Sequence, residues 1–134
     1  HKVCDTVVSS LHKISPSLPL LREQYSSTEH RPDIMVDFSP PIYIEITITY
    51  ADARISSLET ATRKKREKYR ELDDLIVITL SHDGIYMPSL TRELSEYLSI
   101  SERQALRTLN DAAQAALRES CRILRKRYAR SRNM

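Results

Sequence analysis

The chain has 134 residues, of which 40% are hydrophobic and 29% charged, with one glycine and no tryptophan. That is enough for one domain with a real hydrophobic core and too little for two. No apolar run approaches the roughly 20 residues a membrane-spanning helix needs, and the N-terminus lacks signal-peptide order, so an intracellular site of action and no membrane partner are expected.

The net charge of +3 hides an asymmetry: residues 99–134 carry nine Lys/Arg against three Asp/Glu, a net +6, while the first 98 carry twelve against fifteen, a net −3. A basic tail on a near-neutral body suits a polyanion, with nucleic acid favoured over an acidic membrane surface. Positive side chains also suit any helix C-terminus, so charge alone does not decide the matter. His1 stands where an initiator Met would, which fits a domain cut from a longer polypeptide.

Residues 2–14, KVCDTVVSSLHKI, place Val3, Val7, Leu11 and Ile14 at helical spacing and predict a first helix, stopped by Pro16. Ser15 to His30, with Pro16, Pro19 and the polar SSTEH, reads as an irregular connection. DIMVDF and IYIEITIT, split by Pro40 and Pro41, predict two adjacent antiparallel strands. From about Ser57 to Leu72 the pattern turns helical, with a serine before LETATRKKREKYREL as its cap.

LIVITL, residues 75–80, is a continuous apolar run, the mark of a strand covered on both faces. Gly84, in SHDGIYMP, predicts a turn before a short extended piece. A helix from Ser89 to about Leu98 follows, and Ser101 with Gln104 forms a capping box for a long final helix. That helix carries Leu106, Leu109, Ala113, Ala116, Ser120 and Ile123 on one stripe. The order predicts an α/β domain built on a small mixed sheet flanked by helices. Cys4 and Cys121 lie in the helical segments without zinc or disulfide spacing, and both read as small core residues. His12, His30 and His82 show no spacing that implicates them and read as surface residues.

Each predicted strand of the central pair carries an acid. With a side-chain period of two, Ile42, Ile44, Ile46 and Ile48 share one face and Tyr43, Glu45, Thr47 and Thr49 the other. Asp33, at the start of the preceding strand, comes alongside Glu45 across the hairpin. Either acid alone would pass as a turn residue or a solvated strand position. Two carboxylates that close raise each other's pKa unless a cation lies between them, and Mg²⁺ or Mn²⁺ would serve. On the following helix Leu58, Ala61, Lys65, Tyr69 and Leu72 fall in one sector roughly 80° wide, with Lys65 near its middle and Lys68 on its shoulder. Arg63, Arg66, Glu67 and Arg70 take the opposite, solvated side.

RPDIMV, IYIEITI and ATRKKREKY together resemble the P-D, D/E-x-T/V and A-x-x-x-K-x-x-K-Y pattern of the restriction-like endonuclease domains of site-specific non-LTR retrotransposons. Those domains belong to the PD-(D/E)xK nuclease superfamily, and the resemblance covers most of residues 31–125. It implies a restriction-endonuclease-like core spanning residues 1–134 as one nuclease-like domain of a larger polyprotein that includes a reverse transcriptase.

By the same resemblance Asp33 and Glu45 would bind the metal, with the Ile46 carbonyl as an extra ligand, while Lys65, Lys68 and Tyr69 match the helix positions and Ala61 the small residue before them. Glu45 stands where many of these domains have Asp, and its spacing to the helix leaves the choice among Lys64, Lys65 and Lys68 open. Thr47 occupies the place where many PD-(D/E)xK enzymes carry the lysine, a vacancy that a helix lysine would fill.

The implied activity is Mg²⁺- or Mn²⁺-dependent phosphodiester hydrolysis that nicks target DNA in the nucleus. Arg122, Arg125, Lys126, Arg127 and Arg130, in RILRKRYARSR, would add sequence-independent affinity for the nucleic-acid backbone. Two other readings stand beside it. Cap-snatching RNA endonucleases of segmented negative-strand viruses share the order of a His, P-D, E-x-T/K and helix lysine, with His1 in the place of their metal-binding histidine. A nucleic-acid-binding module without catalysis would use the acids structurally.

Overall fold

The computed structural model describes residues 2–22, 31–50 and 54–132. The chain runs α1 (Lys2–Ile14), β1 (Leu20–Arg22), β2 (Ile34–Val36), β3 (Ile42–Thr49), α2 (Ile55–Lys68), β4 (Leu75–Ser81), α3 (Ser89–Leu98) and α4 (Glu102–Arg132). Its four strands form one mixed sheet in the order β1-β2-β3-β4. β1, β2 and β3 pair antiparallel, while β3 and β4, joined through α2, run parallel. The α/β expectation with a small mixed sheet holds.

The alternation in IYIEITIT divides the protein into layers. Ile44, Ile46 and Ile48 of β3, with Ile76, Ile78 and Leu80 of β4, face the large core. Val3, Val7 and Leu11 of α1, Leu90, Leu94 and Leu98 of α3 and Leu109, Ala112 and Ala116 of α4 complete it. On the other face Leu75 and Val77 meet Tyr69, with Tyr43 and Leu72 packed around them, and this smaller cluster seats α2. Every residue of β4 is buried, as its unbroken apolar run requires when both faces are covered.

Several expectations are corrected. The connection after Pro16 is not wholly irregular, because Leu20–Arg22 pairs with β2 as an edge strand. Those three largely exposed residues carry no alternation from which a strand could be read. The helix expected from Ser57 to Leu72 runs from Ile55 to Lys68 instead, with Arg54 at its N-cap, so Ser57 lies inside the first turn. Tyr69 to Glu71 form a turn, and Leu72 reaches the small cluster from beyond the helix end.

Arg66 is not merely solvated: it donates to the Leu75 carbonyl at 3.2 Å and to Glu93 at 2.9 Å, strapping α2 to β4 and α3. After Gly84 no strand forms; the Ser81 N–H bonds the Ile85 carbonyl and closes a turn. Leu106 is 43% exposed, and the buried positions near it are Ala105, Thr108 and Leu109. Cys4 is buried, and burial pushes its thiol pKa up, whereas Cys121 is exposed.

The capping box is present as read. Ser101 Oγ accepts the Gln104 N–H at 3.0 Å, and Gln104 Oε1 accepts the Ser101 N–H at 2.9 Å. α4 packs on α1 and α3 through its small residues, and Ser10 of α1 bonds Thr108 and Asp111 across that contact. At about 1.5 Å per residue, its 31 residues extend about 46 Å. From Cys121 to Arg130 its side chains are exposed apart from the half-buried Ile123. Among the described residues no helix is long and apolar enough to cross a membrane.

Candidate active site

The β2–β3 register places Ile34 opposite Ile44, and one step further it sets Asp33 opposite Glu45. Asp33 sits just before β2, so its side chain, not a strand backbone, meets β3. The Ile46 N–H donates to Asp33 Oδ2 at 2.9 Å, and the Asp33 N–H reaches Glu45 Oε1 at 3.3 Å. In an extended strand the N–H and C=O of one residue leave on the same side, so the Ile46 carbonyl faces the edge where Asp33 lies.

Glu45 shares its sheet face with Tyr43 and Thr47 and lies under α2, only 3% exposed. From α2 the half-buried Lys65 reaches down, and its Nζ stands 3.0 Å from Glu45 Oε2. Lys65 follows Leu58 and Thr62 and precedes Tyr69 on the helix face turned to the sheet, where Thr62 Oγ1 bonds Thr79 at 2.7 Å. Glu45 therefore has Asp33 on one side and Lys65 on the other. Its pKa is raised, first by burial and then by the hydrogen bond and charge of Asp33, with Lys65 pulling the opposite way.

The other expected positions separate into groups. Lys68 is exposed, with its ammonium 5.1 Å from the centre of the Tyr69 ring. Both border a cleft of about 380 Å³ with Arg31, Pro32 and Tyr43, of which Arg31 and Pro32 immediately precede Asp33 in the chain. Lys64 points elsewhere, lining a shallow depression with Thr49, Ser56 and Thr60. Ala61 is half-buried on α2. Lys65 is thus the lysine of the three that meets Glu45. Along α4, Arg122 pairs with Glu119 at 2.7 Å and pulls that carboxyl below its usual pKa range, while Arg125, Lys126, Arg127 and Arg130 are exposed.

Sequence reasoning did not single out Arg31 or Tyr43. Tyr43 was legible from its two-residue offset from Glu45, and Arg31 from its place two residues before Asp33. His82 was read as a plain surface residue, but its ring stacks against Tyr50 at 6.1 Å between centroids and its Nδ1 is closed off from solvent. His12 is exposed as expected, whereas His1 and His30 lie outside the described residues.

A divalent cation fits the donor set in one specific way. Two carboxylates and one ammonium leave a net negative site of hard oxygen donors. Burial is the first cause of the raised Glu45 pKa and the hydrogen bond and charge of Asp33 add to it, so a cation bound there would favour the ionised form. Among the described residues no group of three or more His, Cys, Asp or Glu is placed to hold a metal ion. The protein would therefore supply two carboxylates and leave other positions to water and phosphate oxygen, a habit of Mg²⁺ sites. No protein-family model matches the chain, and no curated protein matches it.

Proposed function

We propose that this chain is a divalent-metal-dependent endonuclease domain that hydrolyses phosphodiester bonds, with DNA favoured over RNA as substrate. The observation that carries the proposal is the convergence of Asp33 and Lys65 on the buried Glu45. A purely structural acid has no need of a second carboxylate beside it.

Asp33 and Glu45, with the Ile46 carbonyl, would hold Mg²⁺ or Mn²⁺. A bound ion supplies Lewis-acid polarisation of a phosphoryl oxygen and a lowered pKa for water. The chain's own groups do the remainder. Lys65, held by Glu45, presents an ammonium toward the phosphoryl group and offsets the negative charge that grows there in the transition state. Lys68 and Tyr69, beside Arg31 in the adjoining cleft, hold the neighbouring phosphate and fix the strand's direction. The α4 cations add backbone affinity that falls as salt rises.

The resemblance to retrotransposon endonuclease domains supports a biological setting: nicking of target DNA in the nucleus, as one nuclease-like domain of a polyprotein with a reverse transcriptase. The test is nicking of supercoiled plasmid in Mn²⁺. Wild type converts it to open circles, while Asp33→Asn and Glu45→Gln do not, with unchanged circular dichroism. Equal nicking by both variants would refute the assignment and leave a binding module with structural acids.

A further inference from the structure

The clearest recess away from the acids lies at the C-terminal ends of β3 and β4. Tyr50, His82, Ser120, Ile123, Leu124 and Arg127 line a pocket of about 550 Å³. That volume falls in the range of small-molecule sites. We infer that this pocket takes an unpaired base of a nucleic-acid strand, stacked against the Tyr50–His82 pair, with the adjoining phosphate on Arg127.

Three observations support the assignment. The Tyr50 and His82 rings lie 17° from parallel, and Tyr50 is 63% exposed, so a flat aromatic face is presented to solvent. Base–aromatic stacking is the usual sequence-tolerant grip on single strands. Next, His82 Nε2 lies 3.0 Å from Asp83 Oδ1, and its Nδ1 has no hydrogen-bond partner among the described residues. Buried polar atoms without a partner are uncommon. A polar heteroaromatic ring suits this wall better than an apolar peptide side chain.

Charge supplies the third support. Arg127 belongs to the basic end of α4, and Arg130 follows on the same helix face three residues on. A phosphate entering beside a stacked base therefore meets positive charge. The inference rests on the nuclease reading only for the class of ligand.

The experiment measures fluorescence anisotropy of short labelled strands in EDTA, with Asp33→Asn as the background so that cleavage plays no part. Deoxyribose and ribose strands, an abasic strand of equal length and a blunt duplex are compared. The base-bearing strand, of whichever sugar, should bind more tightly than the abasic one. Tyr50→Ala should weaken it by about tenfold or more, the scale of one stacking interaction, while Tyr50→Phe retains binding. The duplex and abasic strands should respond little to either change. Because Tyr50 is largely exposed, its truncation leaves the core intact. Unchanged binding in Tyr50→Ala, or an equal loss on the abasic strand, would overturn the inference. The plasmid-nicking result bears on neither outcome.

Discussion

Asp33 makes a rung of the sheet with its side chain: its Oδ2 accepts the Ile46 N–H at 2.9 Å, where a backbone carbonyl of a longer β2 would otherwise stand. The proposed metal site would use the same carboxylate, so structure and chemistry would share one residue. Asp33→Ala should therefore cost about 1–3 kcal/mol by stranding the Ile46 N–H. Asp33→Asn, which keeps an acceptor, should cost less. Urea denaturation separates the two variants, and both should lack nicking. Alanine alone would confuse an unstable protein with an inactive one.

In the proposed nuclease Lys65 would be a second residue with a double role. Lys65→Met should lower the nicking rate by about 10²- to 10³-fold, the loss seen when one preorganised electrostatic partner is removed. It should also raise the Glu45 pKa further, because the ammonium is the group pulling it down. The pH–rate profile of the residual activity should move to higher pH. A lower rate without that displacement would mean that Lys65 contacts substrate alone.

The pH dependence of the proposed ion binding would follow from Glu45, whose folded pKa lies above its ordinary 4.5. Below 4.5 the carboxyl is protonated in both folded and unfolded chains, and it costs the fold nothing. Between 4.5 and the raised value, the folded chain keeps a proton that the unfolded chain has released, so stability falls as pH rises. Mn²⁺ needs the released form. Its affinity should climb through the same window, with proton release visible as buffer-dependent heat in calorimetry. Glu45→Gln should flatten the stability curve there.

Gly84 holds the turn after β4 at φ +80°, and a Cβ at that position would stand 2.9 Å from the Ala113 carbonyl of α4. Both the conformation and the space require glycine. Gly84→Ala should destabilise the protein by about 1–3 kcal/mol in thermal or urea unfolding. Plasmid nicking per folded molecule should be retained, since the turn is remote from the acids.

The basic end of α4 should act through backbone charge. Replacing Arg125, Lys126 and Arg130 by alanine should weaken duplex binding alike on unrelated sequences. The slope of log affinity against log salt should drop by about 0.9 for each phosphate no longer neutralised. Titrations at several salt concentrations measure it directly.

Much of the sheet was legible because β3 and β4 announce their burial in different ways. Alternation in IYIEITIT sets Glu45 against the isoleucine face, and the unbroken LIVITL declares two covered faces. Lys65 was found by helical phase, and the capping box by its spacing. What escaped had no local pattern. β1 is three residues on an edge, and Arg66 finds its partners on β4 and α3 through tertiary contact. Leu106 was placed inward because it is leucine, but α4 presses its alanines on α1 and α3, where close approach favours small side chains. The ring contact of Tyr50 with His82 joins residues 32 positions apart and left no trace in either neighbourhood.

The sheet has a heavily filled side and a thin one. Of the fourteen residues of α2 only Leu58 is buried, and the cluster beneath its end consists of Tyr69, Leu75 and Val77 with two partners. Local opening follows apolar anchorage, so α2 is the layer that loosens first in native-state hydrogen exchange. The ammonium of Lys65 rides on that layer, while both acids are fixed to the strands below. Whatever binds Lys65 and the acids at once clasps α2 to the sheet, and occupancy becomes a means of rigidifying the helix with the fewest buried residues.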